Sequence, residues 1–270
     1  MALVFELFIF ILGLIVGSFL NCVIYRLEIG ESFLEGRSYC PDCQKKLSWR
    51  DLIPVFSFLI LKGKCRYCRQ KISWQYPIVE IAAGILFLAI YQFTISGQQL
   101  TPFYIINFFF LLVVFCFLII IFVYDLKYYI IPDKVIYPAI LVSGIWYFVS
   151  SIFFNTYSKY EILNTLCSAI GAAAFFLAIV LISRGKWMGA GDIKLAFLMG
   201  LILSFPNILV ALFLAFLLGA IIGTGLIISG KKRLSSEVPF APFLVVGTLA
   251  ALFWGQNLLN WYLNILGFKL

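Results

Sequence analysis

The sequence predicts an all-α polytopic membrane protein with about eight transmembrane helices and one small loop domain. Three observations carry this expectation. Of 270 residues, 63% are hydrophobic and only 12% charged, with a mean hydropathy of +1.06, whereas a soluble domain is roughly half apolar. The charges cluster, which leaves long uncharged runs near the ~20 residues that span a bilayer as a helix. Four of the seven cysteines fall in a single polar stretch, as two C-x-x-C pairs.

The first apolar run covers 3–25, interrupted by Glu6 and Asn21. No basic segment precedes it and no A-x-A site follows it, so it reads as a retained span rather than a signal peptide. Gly13 and Gly17 stand at the G-x-x-x-G spacing that permits close helix approach, although chance glycines in a membrane helix would look the same. Residues 26–76 differ in kind. They hold ten of the twenty basic residues and the paired cysteines. Further apolar runs follow at 77–96, 103–124, 135–154, 162–183, 193–205, 207–229 and 239–265. The run at 193–205 is short and begins beside Asp192 and Lys194, as if it started inside the membrane. The expected domains are therefore a first helix at 1–25, a loop domain at 26–76 and a helical bundle at 77–270.

Basic residues in short loops set topology. If 26–76 faces the cytoplasm, so do the loops at 125–134, 184–192 and 230–238, with Lys127, Lys134, Arg184, Lys186, Lys231, Lys232 and Arg233, and also Lys194. Only Lys159 and Lys269 fall on the other side, so eighteen of the twenty cations share one face, and both termini lie outside. The net charge of +8 is thus read as membrane topology rather than as a nucleic-acid surface.

Asp125 closes the third span and Asp192 opens the sixth. Two crossings separate them, so they share one membrane face whichever way the chain is oriented. An ionisable group at the membrane edge is costly and is a functional candidate. The bland alternative is a pair of interface aspartates, solvated or matched to Lys127 and Lys194. Asp192 ends the turn Gly189-Ala190-Gly191-Asp192, where glycines permit φ > 0 or the close approach of another chain. Two aspartates brought together hold one proton between them, and the titration belongs to the pair. The ionised member can take a proton from water while the protonated member polarises a carbonyl, which is peptide hydrolysis without histidine. The chain contains no histidine at all, which removes Ser-His-Asp, Cys-His and HExxH chemistry.

Cys40-Pro-Asp-Cys43 and Cys65-Arg-Tyr-Cys68 are separated by 21 residues. Four thiolates so spaced suit a closed tetrahedral Zn²⁺ site, structural rather than catalytic, that folds a domain too small for its own core. Redox pairs are the alternative, disfavoured by a reducing cytoplasm. Cys22, Cys116 and Cys167 stand alone in apolar runs and read as packing residues.

In order along the chain come Gly17-Ser18-Phe19-Leu20-Asn21, Tyr25-Arg26-Leu27, the two C-x-x-C pairs around Ser48-Trp49-Arg50-Asp51-Leu52-Ile53-Pro54, Tyr76-Pro77-Ile78-Val79-Glu80, Asp125 with Ile131-Pro132-Asp133, and Gly189-Ala190-Gly191-Asp192. In this order they resemble the bacterial type IV prepilin peptidases that are also N-methyltransferases. The resemblance implies an aspartic endopeptidase of the Gly-x-Gly-Asp class in the bacterial inner membrane, with Asp125 and Asp192 catalytic. It further implies prepilin or pseudopilin substrates whose basic leaders are cut at the cytoplasmic face, and methylation of the new N-terminus from S-adenosylmethionine. It places methylation with the loop domain and its flanks. There Glu80 is either a methyltransferase residue or a buried carboxylate paired with a loop cation such as Lys71. Asp133 either orients the segment after Asp125 or caps the next helix. The rival expectation is a cation-coupled transporter with a zinc-bound regulatory loop. Inverted repeats would favour it, and none is convincing.

Overall fold

The computed structural model describes residues 2–32, 36–97, 101–154, 156–230, 238–265 and 267. Lys231, Lys232, Arg233 and Lys269, which enter the charge asymmetry, lie outside the described residues. The chain divides into two compact units, 1–120 and 121–270. Among the described residues there is no strand, only two isolated bridges in the cysteine loop.

Helices form where apolar runs leave the backbone no partner but itself. In the first unit these are α1 (Ala2–Ile29), the one-turn α2 (Phe56–Ile60), α3 (Gln75–Thr94) and the start of α4 (Pro102–Tyr128). The remainder of α4, then α5 (Asp133–Phe154), α6 (Lys159–Ser183), α7 (Ala190–Leu203), α8 (Asn207–Ile228) and α9 (Ala241–Ile265) form the second. Among the described residues, seven helices are long and apolar enough to cross a membrane. The eighth, α7, has only 14 residues, about 21 Å of helix against a hydrocarbon thickness of about 30 Å. Most helices run a few residues beyond the apolar stretches that announce them, because polar residues in the headgroup region still continue a helix.

Within the first unit, α1 and α3 run antiparallel in close contact. A Cβ on Gly13 would lie 2.7 Å from the Gly84 Cα, and one on Gly17 would lie 2.7 Å from the Glu80 Cα. The G-x-x-x-G spacing therefore does serve close approach. Asn21, the polar interruption of the first apolar run, is buried; its Nδ2 donates to the Tyr76 carbonyl at 3.1 Å, and Gln75 Nε2 donates to its Oδ1 at 3.3 Å. These bonds fix the register at which α3 begins.

In the second unit, α7 sits among α5, α6, α8 and α9. Leu195, Ala196, Leu198 and Met199 have no exposed surface. Small residues again set the approach, since a Cβ on Gly200 would fall 2.3 Å from the Ala169 Cα of α6. The far end of α7 is tied to α6 by the Thr165 and Ser204 hydroxyls at 2.6 Å, and by Asn164 Nδ2 donating to the Phe205 carbonyl at 2.9 Å. A short helix persists here because packing, rather than length, stabilises it.

Candidate active site and cysteine centre

Asp125 lies one turn before the end of α4, inside the helix rather than at its end. The helix stops at Tyr129, whose φ of 58° is left-handed and whose N–H donates to the Asp125 carbonyl at 2.9 Å. The carboxyl group is buried, with 5% of the residue exposed. The backbone N–H of Ala241, first residue of α9, faces it. Oδ2 is buried with no hydrogen-bond partner among the described residues. Such an oxygen is costly, and its lone pairs are left for something other than the fold.

Asp192 is the third residue of α7. Its Oδ2 accepts from the Gly189 N–H at 3.2 Å, while its own N–H donates to the Gly189 carbonyl at 3.2 Å. This is half of a capping box, since Gly189 has no side chain to return the second bond. The residue is 9% exposed, and its carboxylate feels the charge of Asp125. The two aspartates lie within electrostatic reach of each other in the second unit, and among the described residues neither forms an ion pair. Lys194 goes elsewhere: its Nζ lies 2.5 Å from Asp133 Oδ1 and 4.9 Å from the centre of the Tyr137 ring. Lys127 lies over the Tyr128 ring at 5.3 Å.

Of the two roles open to the glycines of the turn, positive φ is not used. Gly189 is extended, with φ −84° and ψ 159°, and Gly191 is helical, so neither uses φ > 0. A Cβ on Gly191 would lie 3.1 Å from the Ile131 Cβ. Gly191 therefore makes room for the chain's own segment after Asp125. Asp133, the first residue of α5, reaches across to α7 through Lys194 and so ties that same segment to the helix of Asp192.

In the first unit each C-x-x-C pair forms the same knuckle. Cys40 N–H donates to the Lys45 carbonyl at 3.0 Å, and Cys65 N–H to the Gln70 carbonyl at 2.8 Å. Gln44 and Arg69, at matching positions, both take a left-handed φ. All four sulfurs lie within 4.8 Å of one another, and Cys40 Sγ is 3.9 Å from Cys68 Sγ. Four thiolates at about 2.3 Å from a tetrahedral zinc would stand about 3.8 Å apart, so the residues fit that ion. Between the knuckles, Asp51 braces the loop. It accepts from Ser48 Oγ at 2.7 Å and from Arg66 Nε at 2.6 Å. Burial pushes the Asp51 carboxyl up, but the Ser48 and Arg66 bonds outweigh it and hold the group below its usual range.

Glu80 is buried and is not paired with Lys71, which is exposed. Its Oε2 accepts the Val55 N–H at 2.7 Å, and Ser18 of α1 also bonds its carboxylate. Val55 sits at φ 62°, ψ −50°, with Phe56 N–H donating to the Pro54 carbonyl at 2.6 Å. That is the rare, strained form of γ-turn, at a β-branched residue. Neither this turn nor the Ala241 amide is legible locally. Pro242 in the first turn of α9 marks the helix start, but not what it faces.

Fold and site together define a class: a polytopic helical membrane protein with a four-cysteine loop and a buried pair of carboxylates. The Bacterial Peptidase A24 N-terminal domain matches residues 11–94, which include the four cysteines and Glu80. The Type IV leader peptidase family matches 112–224, which include Asp125 and Asp192. The chain is 31% identical over 265 residues to the prepilin leader peptidase/N-methyltransferase of Bacillus subtilis (strain 168), covering 95% of this chain and 97% of that one. It is also 31% identical over 288 residues to the protein of that name from Aeromonas salmonicida (strain A449), covering 95% and 93%. With the one from Legionella pneumophila it shares 29% over 279 residues, covering 93% and 92%. No solved structure matches. The chain belongs to the type IV leader peptidase family, a family of aspartic peptidases, and is an enzyme.

Proposed function

We propose that this enzyme removes the leader peptides of prepilins or pseudopilins at the cytoplasmic face of the inner membrane, using Asp125 and Asp192 as its catalytic pair, and methylates the new N-terminus. The observation that carries the reading is two buried carboxylates within electrostatic reach of each other, neither ion-paired among the described residues and one with an oxygen that has no partner there. One carboxylate takes a proton from water as the water oxygen attacks the scissile carbonyl carbon. The protonated partner hydrogen-bonds the carbonyl oxygen and stabilises the charge that develops there. Collapse of the tetrahedral intermediate breaks the C–N bond, and the amine leaves with a proton from the pair. The Ala241 amide at the start of α9 is a further donor beside Asp125. A prepilin suits such a site, because its basic leader ends where its apolar helix enters the bilayer, and the basic loops support a cytoplasmic face.

The loop at 26–76 serves as the methylation-linked domain, and 77–270 as the peptidase bundle. A structural Zn²⁺ held by Cys40, Cys43, Cys65 and Cys68 would fix the two knuckles. S-adenosylmethionine supplies the methyl group when bound, a role the names of the relatives support. Glu80 spends its carboxylate on Val55 and Ser18, which favours positioning of the loop over contact with the donor.

The test is cleavage of a prepilin in proteoliposomes by wild type, Asp125→Asn and Asp192→Asn. Each variant is expected to leave the prepilin at full length. Processing at the wild-type rate by either one would falsify the paired mechanism, and the mass of the mature N-terminus reads methylation separately.

A further inference from the structure

The cysteine loop carries an apolar surface that the functions above do not use. Phe56, Leu59 and Ile60 are 62%, 61% and 74% exposed. They stand at i, i+3 and i+4 on α2, so they form one face of that turn. Trp49 and Trp74 are 69% and 68% exposed. Phe58, the buried side of α2, packs on the Trp74 ring at 4.9 Å between centroids, and Trp74 is the residue immediately before α3. The buried side of α2 is therefore held against the residue at which α3 begins.

The depth is set by Glu80. It lies five residues into α3, about 7 Å beyond the helix start at 1.5 Å per residue. Because Glu80 holds the Val55 N–H at 2.7 Å, the residue that opens α2 is drawn down beside the first turns of a spanning helix. A strained turn is what lets the loop dip there and return. The flanks are basic. Arg50 lies 5.4 Å from the Trp49 ring, Lys62 and Lys64 follow α2 exposed, and the acid in this stretch, Asp51, is neutralised by Arg66.

We propose that α2, with Trp49 and Trp74, is an interfacial anchor that seats the cysteine loop in an anionic lipid leaflet. Phe56, Leu59 and Ile60 enter the headgroup–acyl boundary, the two indoles lie at headgroup level, and Arg50, Lys62 and Lys64 meet lipid phosphates. The membrane, rather than a protein partner, is the occupant because the patch adjoins a spanning helix at matching depth and carries a cationic rim.

The test uses the full-length protein in vesicles of phosphatidylcholine with phosphatidylglycerol. A nitroxide amino acid is placed at position 60, or at position 69 as a water-facing reference, and its relaxation by oxygen and by a water-soluble nickel chelate is measured. Position 60 is expected to favour oxygen and to be severalfold less open to nickel than position 69, with the contrast reduced in phosphatidylcholine alone. Equal nickel access at the two positions overturns the anchor. So does protection of position 60 that appears only when a protein partner is added. An unchanged contrast without phosphatidylglycerol overturns the role of the cationic rim. Brominated-lipid quenching reduced in Trp49→Phe supports the anchor in protein without the label, and quenching that does not change opposes it.

Discussion

Lys194 of α7 reaches across to Asp133 at the start of α5, 2.5 Å between Nζ and Oδ1. That bond fastens the segment following Asp125 to the helix that carries Asp192. Both side chains are partly exposed, at 29% and 60%, so the pair contributes on the order of 1 kcal/mol or less to stability. Its effect lies in position.

Asp133→Ala and Lys194→Ala are therefore expected to slow prepilin cleavage by similar factors, with thermal unfolding nearly unchanged. The double variant should be no slower than either single one, because one bond is lost in all three. Additive losses in kcat would show that the two residues act independently.

A Cβ on Gly191 would meet the Ile131 Cβ at 3.1 Å, tighter than nine in ten real Cβ contacts. Gly191→Val should lower cleavage strongly by pushing the segment after Asp125 outward, at a cost of about 1–3 kcal/mol for the overpacked site. Adding Ile131→Ala should restore part of the activity. A Gly191→Val enzyme as fast as wild type would show that the contact does not position the pair.

Metal removal should loosen the loop and leave the helices intact. Purified protein is expected to hold one zinc, and Cys43→Ser or Cys65→Ser to lose it, with new proteolytic cuts between residues 36 and 74. Metal analysis beside limited proteolysis checks this. Full metal content in a Cys65→Ser protein would contradict a four-thiolate site.

Glu80 gives a different pattern. Removing its carboxylate strands the buried Val55 N–H, a cost of about 1–3 kcal/mol. Glu80→Ala should reduce methylation more than cleavage. Glu80→Gln, which keeps an acceptor oxygen, should recover most of it. Mass spectrometry of the mature pilin N-terminus separates the two activities. If the amide variant is as impaired as the alanine one, the charge itself matters and the positioning role fails.

Gly17→Val should damage the first unit, since its side chain would meet the Glu80 backbone at 2.7 Å before any relaxation. Backbone cannot yield as a flexible side chain can, so the loss is expected at or above about 3 kcal/mol. Unfolding by a denaturing detergent in mixed micelles measures it.

The sequence by itself determined the apolar helices and the two cysteine pairs whose four sulfurs gather. Each follows from local composition or fixed spacing. Even the shortness of the helix at 190–203 is visible, because its apolar run is short. Tertiary structure decided the partners. Lys194 could have matched Asp192 and instead holds Asp133; Glu80 could have met Lys71 and instead holds an amide in a strained turn; Gly191 serves Ile131 rather than a positive φ. In sequence these pairs stand 61, 25 and 60 residues apart. A buried polar group must find a partner, but which partner depends on how the helices pack, and no local pattern carries that information.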